Sequence, residues 1–183
     1  MAKKPISIFL ILAVFLFGGD ELQEIIASYK NEQYWKTCNK CSLFIKRYQD
    51  NSDFLNFCAL SCLKADSLDK IYPFVKRLKN SPSDRKNSLY FLTILYQKEL
   101  LLNSILDKID ISFVKLPKTN YILSDIFIKY VNKNYTKKDN AYIFKDDNNP
   151  FITYKLTVNK IDGENRLILK TFKRDIVTKI RVY

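Results

Sequence analysis

The sequence predicts an α+β fold, mainly α-helical hairpins followed by a small C-terminal antiparallel β-sheet. Three observations predict it. Apolar residues recur at helical spacing as far as about residue 132, the pattern turns to strict alternation after Tyr135, and four cysteines cluster where two helices would meet. Hydrophobic residues make up 47% of the 183 positions, so a core is available and the composition is not that of a disordered chain.

The first element is a leader over residues 1–19. Lys3 and Lys4 make a short positive start, Ile6 to Phe17 is apolar but for Ser7, and Gly18 and Gly19 precede an abruptly acidic stretch at Asp20, Glu21 and Glu24. That order is the positive, apolar and small-residue pattern of a secretory signal. The apolar run is shorter than the roughly 20 residues that span hydrocarbon. Cutting after Gly19 or Gly18 puts Phe17 or Leu16 where a small residue is preferred, so an uncleaved anchor in the inner membrane and an apolar first helix are the competing readings. No cysteine follows the run closely, which argues against a lipoprotein.

The helical part is expected over residues 20–132. Between Gln33 and Gln49, Tyr34, Trp35, Cys38, Cys41, Phe44, Ile45 and Tyr48 form one stripe; between Phe54 and Leu63, Phe54, Phe57, Cys58, Ser61 and Cys62 form another. Asp50-Asn51-Ser52-Asp53 between them is rich in residues that cap helices. Folded antiparallel about that turn, Cys38 and Cys62 each lie about 18 Å from Asp50, and Cys41 and Cys58 about 12 to 13 Å, at 1.5 Å rise per residue. Two nested disulfides, Cys38 with Cys62 and Cys41 with Cys58, satisfy this geometry and suit an exported chain. A four-thiolate zinc site fits less well, because C-x3-C within a helix is poor zinc spacing. A redox-active Cys38-Asn39-Lys40-Cys41 normally opens a helix after a strand, and no such strand precedes it. Free buried thiols are the remaining alternative.

Downstream, helices are expected over 53–65, 68–79, 84–97, 99–108 and 121–130, with Pro73 kinking the second or delaying its start. Pairs of short helices at this spacing suggest an α-hairpin repeat. With Pro82 as a closing proline, Phe54, Phe57 and Cys58 take the large, large and small positions of a first helix, and Phe74 the aromatic of a second. Pro117 follows 35 residues later and Ser104 falls near a small position. On these residues the stretch from 20 to 117 resembles a divergent tetratricopeptide-type solenoid. Lys70 and Arg77 stand where that family prefers alanine, and Ser61 where it prefers tyrosine. The resemblance implies protein binding through a helical face and no chemistry of its own. Tyr90, Phe91, Leu95 and Tyr96 are groove candidates on that reading, and core residues on the plainer one.

The last element, residues 133–183, is expected to be a basic antiparallel meander of three or four strands packed on the helices. The strands are drawn at 141–144, 151–159, 166–172 and 176–183, with Asp162-Gly163 as a hairpin turn and Asp146 to Pro150 as another. Asp146 to Asn149 lacks the glycine and distal glutamate of a calcium loop and reads as a turn. The exposed face is expected to carry Lys155, Lys170, Lys173, Arg174, Lys179 and Arg181.

Charge and composition then bound the function. Of a formal net charge of +12, residues 133–183 carry 12 Lys/Arg against 6 Asp/Glu. Such a field suits an anionic membrane, a nucleic acid or an acidic partner, or is simply a solvated basic surface. The chain has no histidine, which excludes His-paired hydrolases, the usual zinc peptidases and His-ligated haem. Three glycines leave little for phosphate-cradling loops. No RNP-like or groove-reading motif accompanies the basic strands, so nucleic acid is disfavoured. The sequence thus predicts a non-catalytic periplasmic adaptor or assembly factor, binding a protein of the bacterial envelope through Tyr34, Trp35, Lys155, Lys170, Lys179 and Arg181, with no cofactor and no metal. The alternatives are a thiol–disulfide redox protein and a basic binder of membrane surfaces or nucleic acid.

Overall fold

A computed structural model describes residues 19–183; apart from Gly19, the expected leader lies outside the described residues. Among the described residues six α-helices precede a five-stranded antiparallel sheet in the simple order β1-β2-β3-β4-β5. The helices are α1 (Asp20–Lys30), α2 (Tyr34–Phe44), α3 (Ser52–Lys64), α4 (Tyr72–Val75), α5 (Pro82–Asp107) and α6 (Ile122–Val131). The strands are β1 (Thr136–Lys138), β2 (Ala141–Lys145), β3 (Ile152–Ile161), β4 (Glu164–Lys173) and β5 (Ile176–Val182). None of the described helices is long and apolar enough to cross a membrane.

The α2–α3 hairpin forms where the cysteine spacing places it. Asn51 caps α3, its side chain accepting from the Phe54 amide at 2.9 Å. Cys38 is bonded to Cys62 and Cys41 to Cys58, with Cα separations of 4.8 and 5.6 Å. All four cysteines are buried between the helices. Helix α2 is shorter than its apolar stripe: the chain leaves it at Phe44, and turns over 45–50 let Tyr48 pack its ring 4.7 Å from that of Phe54. Glu21 of α1 meets Arg47 at 2.9 Å, so the first helix is laid along the same hairpin.

Three expected helices differ. The segment 68–79 is not one helix but a 3₁₀ turn (Leu68–Lys70), the single turn α4 and further turns. Pro73 sits in the first turn of α4, where its missing N–H costs nothing. Conversely, the segments drawn at 84–97 and 99–108 are one continuous helix of 26 residues. Nothing at Lys98 interrupts it, because the side chain is buried and bonded to Asp69 at 2.8 Å. Ser81 and Asp84 close its start in a reciprocal capping box, at 3.0 and 3.1 Å. Its end is marked by Lys108 in the left-handed region.

The sheet has one strand more than expected. Strand β1 is three exposed residues without alternation, so no periodic pattern announces it. The β3–β4 turn has Asp162 and Gly163 both at positive φ, as a tight two-residue turn requires. Arg174 and Asp175 do the same between β4 and β5. One face of the sheet, carrying Tyr142, Phe144, Tyr154, Leu156, Leu167 and Leu169, joins Ile25, Leu55, Ile71, Phe74, Ile94 and Phe127 of the helical part in one continuous apolar core.

Candidate docking surface

The position of each basic strand residue follows from register. Strand β3 pairs Lys155 with Lys170 of β4, and Lys170 is opposite Ile180 of β5. On the other side, Lys155 is opposite Ile143 of β2. These four form one row across the sheet, and a neighbouring row on the same face brings Thr157, Ile168 and Val182 together. Residues alternate between faces along a strand. Since Tyr154, Leu156 and Leu169 are buried against the helices, the row of Lys155 and Lys170 faces away from them.

Lys179 and Arg181 do not share that face. The register sets Arg181 opposite Leu169 and Lys179 opposite Thr171, which places both on the helix-facing side with the buried Tyr183. A register shift between Thr171 and Phe172 inserts an extra residue in β5. The expectation of Lys179 and Arg181 on an exposed basic face is therefore corrected. Their physical reason for facing inward is Asp66, in the turn after α3, whose carboxylate lies 2.9 Å from the Lys179 ammonium and 3.3 Å from Arg181 Nε. Tyr121 donates to the same carboxylate at 2.7 Å, and its hydroxyl is 3.1 Å from that of Tyr183. Burial, with Tyr183 and Asp66 alongside, pushes the Tyr121 phenol far above its ordinary value, so it stays protonated as a donor.

A second acid repeats the theme. Asp69, three residues on, holds Lys98 of α5 and Arg166 of β4. Burial opposes its charge, but hydrogen bonds from Lys98 and Arg166 outweigh this and keep its carboxyl below the usual range. Asp66 and Asp69 thus neutralise Lys179, Arg181 and Arg166, cations that a count of charge assigns to a free C-terminal surface. The sequence signal is two acids in one short break of a basic chain, but spacing alone does not show what they meet.

What faces outward on β5 is instead aliphatic. Val177 is 44% exposed, Ile180 54% and Val182 44%, whereas Ile176, opposite Lys173 beyond the bulge, is 70% exposed on the other face. Lys155 is exposed and Lys170 half-buried among these residues, and Lys173 is exposed. Arg174 covers the ring of Phe151 at 4.8 Å. The two aromatic candidates lie elsewhere, on the first turn of α2. Trp35 is 66% exposed, with the Lys70 ammonium 5.9 Å from its ring. Tyr34 is half-buried, packed edge-on to Tyr29 at 5.2 Å. Lys64 lies 4.7 Å above the Tyr34 ring and 4.9 Å above that of Tyr29. Of the groove candidates, Phe91 is buried in the core, Tyr90 and Leu95 pack against it, and Tyr96 is exposed.

Chemically, the outward face is fit for binding: aliphatic groups that water disfavours stand next to cations that can select an anionic neighbour. No cluster of metal-ligating side chains occurs among the described residues, and every cysteine is in a disulfide. Two disulfides in a chain of this size belong to an oxidising environment of the kind exported proteins meet. Comparison with known proteins returned no matching family model, no matching curated protein and no matching solved structure.

Proposed function

We infer that the protein is a non-catalytic adaptor or assembly factor of the bacterial envelope, exported to the periplasm and working by binding another protein. The observation that carries this reading is the row of exposed aliphatic side chains on β5 set beside Lys155 and Lys170. A monomer with no partner gains nothing from Val177, Ile180 and Val182 in water, and at about 25 cal/mol per Å² covering them is a real driving force for association. The disulfide-stapled helical hairpin supplies a rigid support, and its likeness to tetratricopeptide hairpins agrees with a binding role. Inner-membrane association through the leader is compatible with the same reading.

A second reading has its own support. Lysine alternating with isoleucine also meets the requirements of an anionic lipid surface. The experiment that tests the first is an affinity isolation of the exported protein from its own envelope, wild type against Lys155→Glu/Lys170→Glu. A protein that co-purifies with the wild type and is lost from the variant supports the adaptor. No protein lost, with steeply salt-dependent binding to anionic vesicles, supports the membrane surface instead.

A further inference from the structure

The sheet has two free edges, and they are built differently. At one, β1 is three residues long with Lys137 and Lys138 in it, a short charged strand of the kind that blunts an edge. At the other, β5 runs seven residues with Ile176, Val177, Ile180 and Val182 exposed, and no neighbour lies beyond it in the strand order. Leu167 and Tyr183 exchange both backbone hydrogen bonds, at 3.2 and 2.9 Å. In an antiparallel ladder the bonded pairs then alternate, so Arg181 and Lys179 also point their amides at β4 while Ile180 and Val182 point theirs away, as far as the bulge at Thr178. Among the described residues no turn, loop or cap backbone group meets those two. A cleft of about 420 Å³ lies against Ile180 and Val182, with Ala65, Asp66 and Ser67 of the turn after α3 on its far side.

We propose that β5 is a strand-addition site, which takes an extended segment of a partner protein as a sixth strand of the sheet. The inference rests on the adaptor reading and names how its partner is held. Main-chain bonds to Ile180 and Val182 supply the attachment, and alternating side chains supply the choice. The segment carries aliphatic residues opposite Ile180 and Val182, continuing that surface, and Asp or Glu opposite Lys179, which is half exposed and shares only Asp66. Charge decides against a second copy of this chain as the occupant. A β5-to-β5 pairing would set two chains of net charge +12 against each other, with Lys179 and Lys170 of each close to the joint.

The test places a benzophenone photocrosslinker at Val182 of the full chain, expressed in its own cells, and in a separate variant at Trp35. The expected product at position 182 is one protein adduct, whose crosslinked peptide alternates aliphatic and acidic residues. Adding Ile180→Pro removes an amide that β4 does not use, so the fold survives while the adduct falls at least tenfold; Ile180→Lys, which keeps the amide, lowers it less. An unchanged adduct with Ile180→Pro, a product of twice the chain's own mass, a lipid adduct, or no adduct at position 182 overturns the proposal. If protein adducts form from Trp35 and not from position 182, the adaptor reading stands and the strand-addition site falls; if neither position yields a protein, both fall.

Discussion

The Asp66 carboxylate lies 2.9 Å from the Lys179 ammonium and ties the turn after α3 to the last strand of the sheet. Asp66 has a left-handed backbone, one residue past the α3 C-cap, a position that aims its side chain across the seam. Arg181 and Tyr121 meet the same carboxylate, and the Arg181 side chain is 15% exposed against 48% for Lys179. Replacing Asp66 by Ala leaves a largely buried guanidinium without its anion, which costs about 2–4 kcal/mol. Lys179→Ala costs less than about 1 kcal/mol, because that side chain is half in water. Urea unfolding of the two variants separates these magnitudes, and amide exchange should show β5 opening first in Asp66→Ala. Equal, small losses in both would mean that the seam is held by the apolar core alone.

The nested disulfides lead to a second expectation. Each closes a loop, with sequence separations of 24 and 17, and each restricts the unfolded chain by about 3 kcal/mol when taken alone. Because one loop lies inside the other, the second bridge adds less than the first. Cys41→Ala/Cys58→Ala and Cys38→Ala/Cys62→Ala should therefore each cost less than half of what removing both pairs costs. Non-reducing peptide mapping should recover Cys38 with Cys62 and Cys41 with Cys58; bridges between sequence neighbours would contradict the hairpin.

Acid should weaken the fold through Asp84. The carboxylate is buried, and burial alone would raise its pKa, yet hydrogen bonds from Ser81, Ser52 and Asn56 outweigh this and hold it below its ordinary value. A carboxyl depressed in the folded state contributes stability that is fully present above the unfolded pKa, about 3.9, and is lost as pH falls through the folded value. Asp84→Asn should cost about 1–2 kcal/mol at pH 7, through the weakened capping box and its bonds to Ser52 and Asn56. The variant should also lose stability less steeply than wild type below about pH 4. A pair of denaturation series across roughly pH 2–7 checks both signs; parallel curves would remove Asp84 from the acid response.

Much of this is legible in the residues because simple periods and fixed distances carry it. The cysteine positions, read at 1.5 Å per residue on either side of Asp50, already match outer with outer and inner with inner. The Asp162-Gly163 turn and the alternation of Tyr154 and Leu156 likewise specify a hairpin and its buried face. Strand β5 is not legible in the same way. Its two alternating sets are Ile, Thr, Ile and Val against Val, Lys, Arg and Tyr, and hydrophobicity alone assigns the first set inward. From Lys179 onward the fold does the reverse, since Asp66 neutralises the two cations and the Tyr183 ring fills the core, and the bulge at Thr178 restores the expected sides of Ile176 and Val177. Such a choice depends on a residue more than 100 positions away in the chain, which local pattern does not contain. The continuity of α5 escapes the pattern for a related reason: Lys98 falls between the two expected segments and is a buried partner of Asp69.

The corrected face changes which substitutions probe binding. Reversing Lys179 and Arg181 would set two new carboxylates against Asp66 and report on stability. Lys155 and Lys170 are the informative pair, since they stand directly opposite each other on the outward face. Like charges in that relation are destabilising, so Lys170→Glu should create a cross-strand ion pair and raise stability by about 0.2–1 kcal/mol. The same change removes a cation from beside Ile180 and should slow association with an acidic partner, most strongly at low salt. Stability and binding then move in opposite directions, which a misfolded variant does not produce. Thermal unfolding and the salt dependence of complex recovery, measured on one preparation, decide the matter; weaker binding together with lower stability would show that Lys170 supports the sheet rather than the docking face.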